Sequence, residues 1–191
     1  MTPRHVLLAL VVVAIWGANF VVIKAALATL PPLLFAALRF ALAFFPAALF
    51  VARPDVPWRT LAAYGTLIGA GQFGLMFIAM RADITPGLAS LVIQTQVFFT
   101  IGLAMVFNRE RLKRVQGTAL ALAAVGLTVI AWHTDAATTP LGLLLVLSAA
   151  SCWAAGNTVA QRAGKVPILG FMVWQRGRVV QALPSAQRAS R

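Results

Sequence analysis

Six long apolar runs dominate this sequence, at residues 6–28, 33–52, 61–80, 87–107, 115–132 and 141–160. A helix needs roughly 20 apolar residues to cross a bilayer, because each residue rises about 1.5 Å through a hydrocarbon layer about 30 Å thick. Every run is close to that length. Strands of a transmembrane barrel would instead appear as short alternating segments. The composition agrees: with 61% hydrophobic and 10% charged residues, a soluble domain of 191 residues would lack the polar surface to cover itself. The expected fold class is therefore all-α, a polytopic integral membrane helix bundle of about six transmembrane helices.

The first run resembles a signal peptide in part, since Arg4 precedes it and Ala26-Leu27-Ala28 has cleavage-site spacing. It is too long for a usual h-region, and Trp16, Asn19 and Lys24 interrupt it, so it is read as a retained span. The single cysteine, Cys152, falls inside the sixth run beside Trp153, where a small buried hydrophobe is the ordinary reading. His5 and His133 lie outside the runs and have no ligand-type partners at metal spacing. No metal site, disulfide or cofactor is expected.

A net charge of +12 would point to nucleic acid in a soluble protein. Here the distribution has another explanation. Numbering the loops alternately, the side of the N-terminus holds Arg4, Arg53, Arg59, Arg109, Arg111, Lys113, Arg114 and the six basic residues from Arg162 onward. The opposite side holds only Arg81 in a loop. Positive residues are retained in the cytoplasm, so both termini of a multi-pass chain are expected there, and no nucleic-acid partner is expected.

The loops are short and marked by breakers: Pro31-Pro32, Pro54 with Pro57, Pro86-Gly87, the basic stretch 108–114 and the polar turn 133–140. Such connections make successive helices antiparallel neighbours. Trp58 and Trp132 sit where membrane anchors are common. A faint internal echo relates Trp16-Gly17-Ala18-Asn19 to Trp153-Ala154-Ala155-Gly156-Asn157. If the repeating unit has five helices, its second copy enters the membrane in the opposite sense, the inverted repeat of many secondary transporters. After Arg162 the chain changes character. Residues 166–174 are apolar but stop short of a span at Gln175-Arg176-Gly177-Arg178. They read either as part of a solvated cytoplasmic tail or as the remainder of an interrupted longer frame.

A polar side chain at mid-membrane is costly, up to about 2.5–3.5 kcal/mol for a central Lys, Arg or Asp, so such residues turn toward the bundle interior or a watery cavity. On the first helix Trp16, Asn19 and Lys24 fall within one sector. Lys24 has two readings, a cavity residue or one that snorkels to the interface. Arg39 on the second helix needs an anion, a carbonyl or water. Gln72 on the third shares a stripe with Gly65, Gly69 and Met76; the glycines suit close helix packing. The fourth helix carries Ser90, Gln94, Thr95, Gln96 and Thr100. Its Ser90/Gln94 and Gln96/Thr100 rows face different directions, so one lines a pathway and the other bonds to a neighbour. On the sixth helix Trp153, Asn157 and Gln161 form a further row. The four acids, Asp55, Asp83, Glu110 and Asp135, all fall in loops, which disfavours a membrane carboxylate that exchanges cations for protons. No catalytic dyad or triad is apparent, and an enzyme is not expected.

The stretches WGANFVVIKAAL (16–27), PPLLFAALRF (31–40), GQFGLMFIAM (71–80), GLASLVIQTQVFFT (87–100) and ERLKRVQ (110–116) closely resemble the EamA family of the drug/metabolite transporter superfamily. They are most similar to its amino-acid metabolite exporter branch, associated with O-acetylserine and cysteine. The resemblance implies a bacterial inner-membrane exporter of about ten spans, in two five-helix inverted repeats around a central cavity. On that basis residues 6–132 correspond to the first repeat, 141–160 to the opening helix of a second, incomplete one, and 161–191 to a basic tail unlike the family. The candidate substrate contacts are Trp16, Asn19, Lys24, Arg39, Gln72, Gln94, Gln96, Trp153 and Asn157. The implied partners are a small-molecule substrate and the lipid bilayer, with a homodimer or a complementing half if the chain is active. Two other readings stand beside export by alternating access: a truncated, transport-incompetent fragment or membrane assembly partner, and a dimeric small multidrug exporter. The last usually needs a first-helix carboxylate, where this chain has Trp16 and Asn19.

Overall fold

A computed structural model describes residues 3–52, 54–109, 111–132, 138–164 and 170–174, which form helices and connecting turns without a strand. Its principal helices are α1 (Pro3–Leu27), α2 (Pro32–Ala48), α3 (Trp58–Ala82), α4 (Pro86–Phe107), α5 (Arg114–Trp132) and α6 (Pro140–Arg162). Each apolar run of the sequence is thus one helix. Proline in the first turn, where an amide would be unpaired anyway, opens α2, α4 and α6. Two threonines complete the starts: Thr85 Oγ1 accepts the Leu88 N–H at 3.4 Å, and Thr139 Oγ1 accepts the Gly142 N–H at 3.0 Å. At the end of α4, Arg109 turns left-handed at φ 54°, and its N–H caps the Ala104 carbonyl.

Several helix ends differ from the apolar runs, α1 among them, which starts at Pro3 rather than at residue 6. The third begins at Trp58, because Pro57 supplies the break and Arg59 and Thr60 are tolerated in an exposed first turn. The second ends at Ala48, after Pro46 has removed one amide from its last turn, and the chain turns through 49–51 toward Pro54. Four helices, α1, α3, α4 and α6, are long and apolar enough to cross a membrane; α2 and the described apolar part of α5, Arg114–Val129, are shorter. The chain is a polytopic helical membrane protein. Arg53, Glu110, His133, Asp135, Lys165 and the basic residues of 175–191 lie outside the described residues, as does the Trp132 side chain.

Contacts at both ends fix the helix directions: α1 runs parallel to α3 and α4 parallel to α6, while α3 and α6 are antiparallel. At one end Lys24 of α1 donates to the Met80 carbonyl of α3 at 2.8 Å. There too, the Thr139 N–H and hydroxyl donate to the Asp83 carbonyl and carboxylate, both at 2.9 Å. At the other end the Arg162 guanidinium lies 4.4 Å from the Phe107 ring centre. Between them, α6 lies against α3 and α4. Small residues permit the approach: a Cβ on Gly71 would come within 2.8 Å of Cys152, and one on Gly156 within 2.7 Å of Ile68. The main apolar cluster joins Ile23 and Leu27 of α1, Ala36 and Phe40 of α2, Phe77 and Met80 of α3, Ala89 and Ile93 of α4, and Val146 and Ala150 of α6. By contrast, α5 has no buried side chain among its described residues.

The segment after α6 is not wholly solvated. Residues 170–174 form a helical turn that buries Phe171 and Val173. Phe171 packs edge-on to Tyr64, 4.9 Å between ring centres, and Trp174 Nε1 donates to the Val51 carbonyl at 2.9 Å. This apolar turn finds a second small core with Val56, Leu61, Tyr64 and Ile68, which is cheaper than exposing it to water.

Candidate functional site

The irregular backbone of the bundle is concentrated beside α6. Within α3, residues Thr66–Gly74 form a π-helix, and within α4, Ile93–Thr95 form a 3-10 turn; both stretches lie against α6. The four glycines at 65, 69, 71 and 74 ease the widened turns and the close crossing. Wide and tight turns redirect side chains and weaken the regular ladder, which is why they recur at functional sites. Gln72, in the π-helical stretch, is buried at 6% exposure among apolar neighbours.

Around this seam the structure brings several candidate residues together. The Trp16 ring of α1 meets the Trp153 ring of α6, centre to centre 6.5 Å and tilted by 41°. Trp16 is otherwise 57% exposed, so one face of the pair stays open. Asn19 and Asn157, each one turn beyond its tryptophan, are half-buried. On the other flank of α3, the Arg39 guanidinium sits 5.2 Å from the centre of the Phe73 ring, the residue next to Gln72. Phe40 also packs edge-on to Phe73, at 5.5 Å. A cation over an aromatic face is stabilised by the ring's electrons, which helps keep the guanidinium charged at membrane depth.

Other candidates are placed elsewhere. Lys24 is exposed and reaches the last carbonyls of α3, Met80 at 2.8 Å and Arg81 at 3.4 Å. A cation there neutralises the negative end of the helix dipole. Gln96 accepts from the Thr100 hydroxyl at 3.1 Å within its own helix, and Gln94 is exposed. Ser90 turns back to the Gly87 carbonyl at 2.7 Å. Thr95, between the two glutamines, is buried. The sequence reading did not select Phe73 or Thr95. Phe73 had a usable signal, an i,i+4 aromatic pair with Phe77 whose ring centres are 5.7 Å apart. Among the described residues no three His, Cys, Asp or Glu side chains gather within metal-binding range.

A bundle of long apolar helices, with buried polar residues where the backbone is irregular, is an arrangement found in membrane transporters. The chain belongs to the EamA-like transporter family, whose model matches residues 3–132, from the start of α1 to the end of α5. It is 43% identical over 180 residues to the "Probable amino-acid metabolite efflux pump" of Salmonella typhimurium, covering 91% of this chain and 60% of that protein. A protein of the same description from Escherichia coli is 41% identical over the same shares. The "Uncharacterized inner membrane transporter YedA" of Escherichia coli is 26% identical over 154 residues, 78% of this chain and 50% of that protein. The chain therefore spans about 60% of the length of the curated relatives it matches best among these. No solved structure matches it.

Proposed function

We propose that this chain serves in the export of small amino-acid metabolites, of the O-acetylserine or cysteine kind, across a bacterial inner membrane. The observation that carries the reading is the meeting of Trp16 with Trp153 beside the irregular stretch that buries Gln72. It joins the first helix to the sixth at mid-depth, where an inverted-repeat transporter has its substrate site. The names of the two relatives above 40% identity support the substrate class.

In this account the open faces of Trp16 and Trp153 pack against the substrate's apolar part, while Asn19, Asn157 and Gln72 hydrogen-bond its polar groups. Arg39 attracts its carboxylate. Lys24 serves a different end, holding α1 to the end of α3. Residues 3–132 form one five-helix unit and α6 opens a second, so that alternating access exchanges two packings of α1 and α6 around the site. The end bearing Arg4, Arg59, Arg109, Arg111, Lys113, Arg114 and Arg162 faces the cytoplasm, and the end bearing Arg81 faces away.

The test is export of O-acetylserine and cysteine from cells expressing this chain, alone and in the length of its relatives, with Asn19→Ala beside the unchanged protein. The account expects export to fall about tenfold, the loss of one hydrogen bond that the site leaves unmet. Unchanged export at equal membrane expression removes Asn19 from the site.

A further inference from the structure

The polar triplet in the middle of α4 sends its three side chains to three different surroundings. Gln94 is exposed, and Gln96 accepts from Thr100. Thr95 is 9% exposed, and its Oγ1 has no hydrogen-bond partner among the described residues. A helical threonine ordinarily satisfies itself by turning its hydroxyl back to a carbonyl three or four residues earlier. Thr118, Thr128 and Thr158 do this, to Val115, Ala124 and Ala154 at 2.9, 2.9 and 3.0 Å. Thr95 does not.

The backbone explains why this hydroxyl is turned inward. The Gln96 N–H bonds to the Ile93 carbonyl, three residues back, so the helix is tightened at this turn. Residues three apart eclipse in such a turn, which sets Thr95 in line with the buried Val92 rather than rotating it outward. The same turn lies against α6. Counted at 1.5 Å per residue from the end of the bundle that holds Lys24, Thr95 stands at roughly the depth of Gln72 and Trp16, about 13–17 Å in. An unmet buried hydroxyl costs about 1–3 kcal/mol. Valine has the same shape and would carry no such cost.

The geometry points to the Thr95 hydroxyl, closed off and unmet in this packing, as a group of the solute path that hydrogen-bonds the polar solute when α4 and α6 part in the other packing of the transport cycle. This rests on the export reading above and adds a contact on α4 to those on α1, α3 and α6. A hydroxyl both donates and accepts, so it suits the amino or the carboxylate group of a zwitterion equally.

Two arms test it in the full chain. Cys152 is the only cysteine, so Cys152→Ala provides a background free of thiols. In that background Thr95→Cys is expected to react with a small water-borne methanethiosulfonate, while Ile93→Cys, at a position 4% exposed in the same turn, stays unmodified. Equal reactivity at the two positions overturns the proposal. In the second arm Thr95→Val is expected to raise the half-saturating concentration for export about three- to tenfold, with Thr95→Ser close to the unchanged protein. Its thermal midpoint in detergent should hold or rise. An unchanged half-saturating concentration overturns the proposal, and so does a lowered midpoint, which would mean the hydroxyl holds a structural bond. The labelling arm needs no substrate: a chain that labels at position 95 yet exports no amino-acid metabolite supports the path and overturns the substrate class instead.

Discussion

The crossing of α3 with α6 and the isolated helix α5 are both apolar and both contain glycine, yet they use it differently. At the crossing, Gly71 faces Cys152 and Gly156 faces Ile68 with no room for a Cβ. At the foot of the same helix, Gly142 lies against the backbone of Asp83. On α5, Gly117 and Gly126 have nothing within 4 Å of a Cβ, and side chains such as Leu122 stand 75% exposed. Hydrophobicity therefore places both helices in the membrane, but only close backbone approach ties a helix into the bundle, because lipid tails solvate a leucine as well as a neighbouring helix does. The candidate site lies on the tied side. The α3–α6 crossing gives Gln72 and Trp153 a rigid frame.

The largest effect is expected at Gly142. A methyl group there would come within 2.7 Å of the Asp83 carbonyl carbon, and backbone cannot yield as a side-chain tip can. Gly142→Ala should cost about 3 kcal/mol or more and abolish the monodisperse peak of the detergent-solubilised protein on size exclusion. A normal peak and thermal midpoint would break the contrast between the two regions. Next comes Gly71→Ala, expected to cost about 1–3 kcal/mol against Cys152. The double variant with Cys152→Gly should be more stable than the sum of the single losses predicts, by at least about 0.5 kcal/mol, since one change makes room for the other. Strict additivity in thermal unfolding would show that the two positions do not touch. The smallest effect belongs to α5: Gly126→Ala should leave the midpoint unchanged or raise it by the equivalent of about 0.5–1 kcal/mol, because the backbone gains a better helix former and nothing is displaced.

Much of this organisation is local and was readable in the residues. Long apolar runs become helices because backbone groups in hydrocarbon must be satisfied internally, and Pro32, Pro86 and Pro140 mark where three of them begin. The Gln96–Thr100 row was readable for the same reason, since its partners are one turn apart. What depended on distant partners was not. Lys24 admitted both a cavity role and a snorkelling one, and the carbonyls it reaches, Met80 and Arg81, belong to another helix. Arg39 needed a partner whose identity, Phe73, follows only from the way α2 packs on α3. The π-helical stretch was hidden too, because its glycines fit an ordinary helix equally well; it lies where α6 crosses α3. The apolar residues 170–174 allowed a solvated tail until Val56, Leu61 and Tyr64 were seen to offer them a core.

The central claim is that α1 and α6 meet through Trp16 and Trp153 to frame the site. The most direct measurement is cross-linking in membranes of a Trp16→Cys, Trp153→Cys chain on the Cys152→Ala background, using a short bifunctional thiol reagent. The account predicts an intramolecular link that forms readily, lowers mobility on a denaturing gel, and is absent from either single variant. Failure to link, in protein whose two thiols are both shown to react singly, would contradict it.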